Sequence, residues 1–505
     1  MDMIGIIFIL YLAFLLGVGV WTFKFNKTQE DYLLAGRKLG PWVTAFSERA
    51  SGESAWLLLA LPGAAITIGL SESWAVIGII LGIIASWFLI AERLREETEK
   101  YDALTIPEYL HRKFNDSSNI IRLFSSVIIA FFFLFYVSAQ FHASGKVLNS
   151  LFDLDPITGI SIGAAIIIVY TLMGGFYAVA WTDLLQGILM IGTLVILPIA
   201  GYIELSGSGK TIADGLAAAD SVFGNNNGSY FRGKEGLAAL MAALGGLSWG
   251  LGYLGQPHLV IRYMAIRSTK DVKVARKIAI AWALPGITGA FLIGLVALVS
   301  FGPIYFHTFV AGIGEKIDLC TVCDLIEGTH IDAEQAMPLL AQKLLPAVVA
   351  GLFISGAVAA MMSTADSQLL VSTSAVTEDF YHQYLGKDLS QEVLVKLSRI
   401  MIVVLGLAAY GIAIFSEIQG KKIFGVVSYA WSGLGSAFGP ALVMALWWEK
   451  TTRQGIIAGL LVGFLTTIIW ANIPELKALV TERLSSFVFA FIAVYIVSLQ
   501  TQHDL

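Results

Sequence analysis

Stretches of about 20 residues without a charge recur along the whole of this chain, and that is the length an α-helix needs to cross the hydrocarbon core of a bilayer. Residues 3–23, 73–91, 184–203, 278–314 and 423–448 are examples. A water-soluble protein carries roughly 25% charged residues; this one, at 505 residues, carries 14%, with 57% hydrophobic. In lipid, every backbone polar group has to be satisfied within the segment, so long apolar spans are helical. The chain is therefore predicted to be an all-α polytopic membrane protein set in a lipid bilayer. The opening run, MDMIGIIFILYLAFLLGVGVW, lacks the basic start and small-residue cleavage site of a signal peptide and reads as a retained helix. No basic stripe or nucleic-acid motif is present, so nucleic acid is not expected as a partner.

Hydropathy places about thirteen transmembrane helices, at 3–23, 42–69, 73–92, 122–149, 157–175, 183–203, 236–262, 278–303, 338–372, 398–416, 423–448, 455–473 and 484–500. Loops on one predicted side carry 21 Lys and Arg, among them Arg37, Arg95, Arg112, Arg262, Arg267 and Arg453, against about nine on the other. The positive-inside rule then puts the N-terminus outside and the C-terminus inside. The two cysteines, Cys320 and Cys323, fall in an outer loop with His307 and His330. Two thiolates are too few for the usual structural zinc site, and an incidental or labile pair is expected, with no redox role.

Two spans are interrupted. SERASGESAWLLLALPG, residues 47–63, sets Glu48, Arg49 and Glu53 beside Ser51-Gly52, where helical character is expected to fail, with Pro62-Gly63 further on. GGLSWGLGYLGQP, residues 245–257, holds five Gly and one Pro, a poor composition for an unbroken helix. Glycine in a membrane helix also serves close packing. These breaks, however, begin spans two and seven, five helices apart, and broken helices at matching positions of two halves point to an inverted-repeat transporter. The expected organisation is an extra helix and inner loop at 1–41, a first repeat at 42–203, an outer connection at 204–236, a second repeat at 237–448, and two further helices with a short tail at 449–505.

The runs DYLLAGRKLGPWVTAFS, LLLALPGAA, MGGFYAVAWTD, WGLGYLGQPH, MSTADSQLLV and VSYAWSGLGSAFGP extend over nearly the whole chain and resemble the sodium/solute symporter family, its proline branch most of all. The resemblance implies a LeuT-type 5+5 inverted repeat and a carrier, not an enzyme. It implies Na+ as the coupling ion and a small solute, L-proline favoured, imported by alternating access across a bacterial cytoplasmic (inner) membrane. Symport of another small solute (a different amino acid, sialic acid, a sugar or a carboxylate) is the nearest rival. A channel, or a transporter-like sensor working through a separate signalling partner, is the reading from another class; accumulation of solute against a gradient separates a carrier from both.

Sodium is a hard cation and takes oxygen ligands. A Ser-Thr pair in a membrane helix is most often bonded to its own backbone, but the resemblance assigns the main sodium site to carbonyls of Ala50, Glu53 and Ala360 with hydroxyls of Ser363 and Thr364. Intramembrane carboxylates are costly and so are functional candidates. Asp183 and Asp366, with Ser363 and Ser367, are a candidate second cation site; alternatively Asp183 is a helix N-cap and Asp366 an anion on the ion's exit path. Tyr136, Trp249, Tyr253 and Pro257 match positions that the resemblance implicates in binding proline, with Gln140 either adding a polar contact or bonding between helices. Aromatic faces suit an ammonium, and free N–H groups at a half-helix start suit a carboxylate. The proline branch has an Asp where this chain has Gly52, and Met where it has Glu53. Glu53 then either faces the cavity or pairs with Arg49, four residues away, as an inner gate with Glu48 as second partner.

Overall fold

The computed structural model describes residues 3–22, 34–173, 175–303, 306, 332–377 and 390–502. Cys320, Cys323, His307 and His330 lie outside the described residues. Helices dominate: α1 (Met3–Thr22), α2 (Pro41–Ala55), α3 (Leu61–Ile68), α4 (Ser73–Leu89), α5 (Ile120–Phe152), α6 (Pro156–Met173), α7 (Phe176–Gly207) and α8 (Gly236–Leu247) come first. They are followed by α9 (Pro257–Ala265), α10 (Thr269–Phe301), α11 (Ala347–Ser374), α12 (Gln391–Ile418), α13 (Ile423–Trp447), α14 (Arg453–Asn472) and α15 (Glu482–Thr501). Short helices such as Ala91–Lys100, Ile106–Lys113 and Ala336–Leu344 link them. Among the described residues nine helical stretches are long and apolar enough to cross a membrane, or ten when the bent pair Gly236–Gly252 and Pro257–Ala265 counts as one.

Burial separates a centre from a periphery. In α11 and its extension, 78% of the most apolar window is buried, against 33% for α12, α14 and α15. From Phe353 to Ser374 α11 is buried on every side, which makes it the core helix, and it packs on α1, α2, α5 and α7. The loops rich in cations meet at one end. Arg37 donates to the carbonyls of Thr98, Ala103 and Met264, Arg95 Nε to Ile266 O at 2.5 Å, and Arg453 Nε to Asp116 Oδ1 at 2.7 Å. At the other end Lys146 of α5 pairs with Asp332 at 2.5 Å and with Glu334.

Three local expectations are corrected. The first break falls at Ser54 (φ 34, ψ −169), not at Ser51-Gly52, both of which stay helical. Gln140 explains the shift, because its Oε1 accepts the Ala55 N–H at 3.0 Å and caps the resumed segment from another helix. The chain then runs through a π-helical turn, Trp56–Ala60, before α3 carries Pro62 in its first turn; such turns relieve i→i−4 bonding near functional sites. The span expected at 338–372 is split: Pro346 drives Leu345 into extended backbone (φ −112, ψ 150), ending helix Ala336–Leu344 before α11 starts. Finally, α7 begins at Phe176, so Asp183 lies two turns inside a helix, fully buried, and is not an N-cap.

Candidate functional site

The first break anchors three buried charges. Arg49 Nε donates to Glu48 Oε2 at 2.6 Å, its Nη2 to Glu48 Oε1, and its Nη1 to Glu53 Oε1 at 2.6 Å. All three residues are fully buried. Glu48 also accepts from Trp87 Nε1 at 3.1 Å and, more distantly, from the Tyr263 hydroxyl. Because α2 remains helical through Gly52, the four-residue spacing does put Arg49 and Glu53 on one face. Glu48, adjacent in sequence, still takes two of the three bonds. The Tyr253 hydroxyl points at Glu53 at 3.4 Å, and the Arg49 guanidinium lies 5.5 Å from the Tyr253 ring centroid, so the second break touches the first.

On another face of the same turns of α2, Ser47 and Ser51 meet a second buried group. Asp183 Oδ2 accepts from Ser47 Oγ at 2.6 Å, from Ser51 Oγ at 3.2 Å and from Arg262 Nη2 at 3.2 Å. Arg262 also donates to Ser47 Oγ (3.1 Å), Ser51 Oγ (2.7 Å) and Ser367 Oγ (2.5 Å). Ser367 bonds Asp366 Oδ1 at 3.3 Å. Asp183, Asp366 and Ser367 are therefore together, as the sequence grouped them, with a guanidinium among them. The hydroxyl pair lies alongside: Thr364 Oγ1 donates to Ser51 O at 2.9 Å, and Ser363 Oγ reaches Ala360 O at 3.4 Å. Ser51 Oγ in turn reaches Ser363 O at 3.0 Å. Ala50, Glu53, Ala360, Ser363 and Thr364 all have no exposure. An all-oxygen set of hydroxyls beside an interrupted helix suits a hard cation.

The second break bends the chain by 42° between Gly252 and Pro257. Pro257 opens α9, where its missing N–H costs nothing. Glycine is required here by close approach: a Cβ at Gly252 would lie 1.9 Å from Trp431 Nε1, and one at Gly255 would lie 2.1 Å from Gly439 N. Around the bend Trp249 stacks on Trp56 (5.6 Å between ring centroids, 19° between planes), while Trp431 meets Tyr253 edge-on at 4.7 Å and Tyr136 at 6.4 Å. Trp431 Nε1 donates to Trp249 O at 3.0 Å, and Gln256 Nε2 to Trp431 O at 2.9 Å. These five rings are at most 2% exposed. Tyr136, Trp249 and Tyr253 thus belong to one packed aromatic cluster, joined through Trp431. Gln140 supports the first break; Pro257 starts the half-helix and is not among the rings.

Sequence reading missed Arg262, Trp56 and Trp431. Trp56 and Trp431 stand in the quoted break and motif runs, but only the fold brings them to the cluster. In the sequence Arg262 counts among the cations of an inner loop. The signal that could have found it is its place five residues past Pro257, inside the second half-helix, where a cation needs an anion.

The sequence matches the sodium:solute symporter family over residues 32–463. It is 38% identical over 488 residues to a high-affinity proline transporter of Bacillus subtilis (strain 168), covering 96% of this chain and 95% of that one. It is 37% identical to a sodium/proline symporter of Escherichia coli (strain K12), over 97% and 92% of the two chains. Among solved structures, it resembles a sodium-coupled sialic acid symporter in its substrate-bound outward-open state, with a TM-score of 0.77 and 20% identity over 99% of this chain and 98% of that one; this similarity bears on the fold.

Proposed function

The chain belongs to the sodium:solute symporter family, and from that membership we propose that it carries L-proline inward together with Na+ by alternating access. The observation that carries the reading is the meeting of the two helix breaks, at Ser54 and between Gly252 and Pro257, at a buried aromatic cluster beside a buried set of hydroxyl and carbonyl oxygens. Trp249, Tyr253 and Tyr136 cover the solute, with Trp56 and Trp431 completing the walls. Aromatic faces attract the secondary ammonium of proline. The hydroxyls of Ser363 and Thr364 hold sodium with the carbonyls of Ala50, Glu53 and Ala360. Ion and solute share the α2 break, so each stabilises the arrangement the other needs, and linkage makes that coupling reciprocal.

Since the aromatic cluster and the ion residues are buried, the two breaks have to part from α5, α11 and α13 for exchange with either side. Arg49, held by Glu48 and Glu53 on α2 itself, takes part in the gate by fixing those two carboxylates where Tyr263 of α9 and Tyr253 of the second break reach them. In this reading the halves 42–203 and 237–448 are inverted repeats. The thirteen helices run from an outer N-terminus to an inner C-terminus in a bacterial cytoplasmic membrane, with the cation-rich end inside. Purified protein in proteoliposomes should accumulate L-proline when an inward sodium gradient is imposed and not when potassium replaces sodium. Equilibration without accumulation would point to a channel, and binding without any uptake to a sensor. Accumulation of a sugar, sialic acid or another amino acid, uninhibited by proline, would keep the symporter and overturn its substrate.

A further inference from the structure

We propose that the groove between α12 and the α13–α14 pair is a binding site for an anionic glycerophospholipid of the surrounding bilayer. An acyl chain lies in the groove, and Lys421, Lys422 and Lys477 hold the phosphate. The site is separate from the solute and ion residues, and binding there does not depend on which solute the protein carries.

The groove follows from how the helices pack. α12 lies on α5, α6 and α11, whereas α13, joined to it through Gln419–Lys422, turns to α14 and α15. Between them a cavity of about 700 Å³ is left open. Its α12 wall is Ala408, Gly411, Ile412 and Phe415, which share one helical face, and Phe415 is 55% exposed. Phe135 of α5 and Tyr429 of α13 also line it, in edge-to-face contact with 5.4 Å between ring centroids. A Cβ at Gly411 or at Gly425 would meet nothing within 4 Å. These two glycines keep room open instead of serving a close contact.

Length and charge select the occupant. From Ala408 to Ile418, the last residue of α12, the helix rises about 15 Å, which is half of the ~30 Å hydrocarbon core. A groove of that length, open to the side, takes one acyl chain of one leaflet, while water finds no partners on its apolar walls. Lys421 and Lys422 come from the α12–α13 connection and Lys477 from the short helix Pro474–Leu479, and all three line the cavity. Among the described residues no carboxylate lines it. Lysines at a membrane boundary ordinarily extend their ammonium groups into water. Here three of them, from two connections, converge on one apolar groove, the complement of a lipid phosphate above its acyl chain. Lys421 also lines a neighbouring pocket with Lys146 and Asp332, so the basic mouth is at the outer end in the orientation proposed above.

The experiment is native mass spectrometry of the purified, delipidated full chain, given equal amounts of palmitoyl-oleoyl phosphatidylglycerol and phosphatidylcholine. The wild type is expected to retain a single phosphatidylglycerol, preferred over phosphatidylcholine by about fivefold for each lysine engaged. Lys477→Gln should lower that preference about fivefold, and Lys421→Gln, Lys422→Gln and Lys477→Gln together should abolish it. Gly411→Leu with Gly425→Leu fills the groove and should displace both lipids. Melting temperature in detergent gives a second readout: phosphatidylglycerol should raise it in the wild type but not in the triple lysine variant, and inorganic phosphate should raise it in neither. Equal retention of the two lipids, an unchanged preference in the triple variant, or equal stabilisation by inorganic phosphate alone would each overturn the proposal. So would retention of phosphatidylglycerol by the glycine double variant, which places the lipid elsewhere, or a lipid-free dimer, which makes the groove a face between copies.

Discussion

Replacing Arg49 by Gln takes away the cation that holds two buried carboxylates. Arg49 makes three bonds, two to Glu48 and one to Glu53, and none of these residues touches solvent. Breaking a buried pair by removing one partner costs about 3–5 kcal/mol, because a charge is left uncompensated. Arg49→Gln strands two, so its loss should reach at least the top of that range. Glu53→Gln is different. It removes one charged hydrogen bond, worth about 1.5–3 kcal/mol, but leaves Arg49 and Glu48 as a balanced pair and removes the excess negative charge. In the double variant Glu48 is the remaining charge and keeps its donors Trp87 and Tyr263.

The expected order of damage is therefore Arg49→Gln, then the double variant, then Glu53→Gln, which requires a coupling energy larger than the Glu53→Gln loss itself, about 3 kcal/mol between the two sites. This differs from the symmetric loss and rescue that the Arg49–Glu53 spacing alone suggests, and the difference comes from Glu48. Melting temperature of the detergent-purified protein gives the stability arm of the cycle. Sodium and proline affinities give the functional arm, where a gate role leaves both little changed in Glu53→Gln. Losses additive within about 0.5 kcal/mol, or Glu53→Gln as the most damaging variant, would refute the reasoning. A fall in sodium or proline affinity confined to Glu53→Gln would place that carboxylate in the cavity instead.

Ser363→Ala with Thr364→Ala should raise the sodium concentration for half-maximal uptake about tenfold or more, the equivalent of one lost oxygen contact to a charge at ~1.4 kcal/mol; unchanged sodium dependence would remove both residues from the ion site. Trp249→Ala, which loses the stack on Trp56 and the contact with Trp431, should weaken proline binding by about tenfold or more and sodium binding far less, and equal losses would speak for a purely structural role. Proline should also protect Tyr253→Cys from thiol reagents in a background lacking Cys320 and Cys323. Outside the spans, burial works to raise the Asp116 carboxyl, but bonds from Ser118, the Ile121 N–H and Arg453 outweigh it and hold the group below the usual carboxylate range. Its folded pKa being depressed, Asp116 contributes stability at neutral pH that is lost as pH falls through the folded value. Asp116→Asn should therefore flatten the acid limb of the melting-temperature profile, and an unchanged limb would count against it.

What could be read in advance divides along a physical line. Hydropathy reports the solvent around a segment, so helix placement and the existence of two breaks were legible from charge-free runs and from Gly and Pro composition. Long-range partners leave no such trace. The first break sits at Ser54 because Gln140, on α5, supplies an acceptor for the Ala55 N–H; nothing within SERASGESAW encodes that. Asp183 looked like a helix start after Trp181-Thr182, yet α7 begins at Phe176 and its buried carboxylate is tolerated through donors on α2 and α9. Arg262 was the harder case. A cation closing an apolar run satisfies the positive-inside count just as a loop arginine does, and only its fourfold bonding to Ser47, Ser51, Asp183 and Ser367 distinguishes them. Charge counting treats each cation as a report on topology, whereas a cation paired inside the bundle reports on the site. The residues that a one-dimensional reading assigns with least trouble to a membrane boundary are accordingly the ones whose partners most need to be located before their role is assigned.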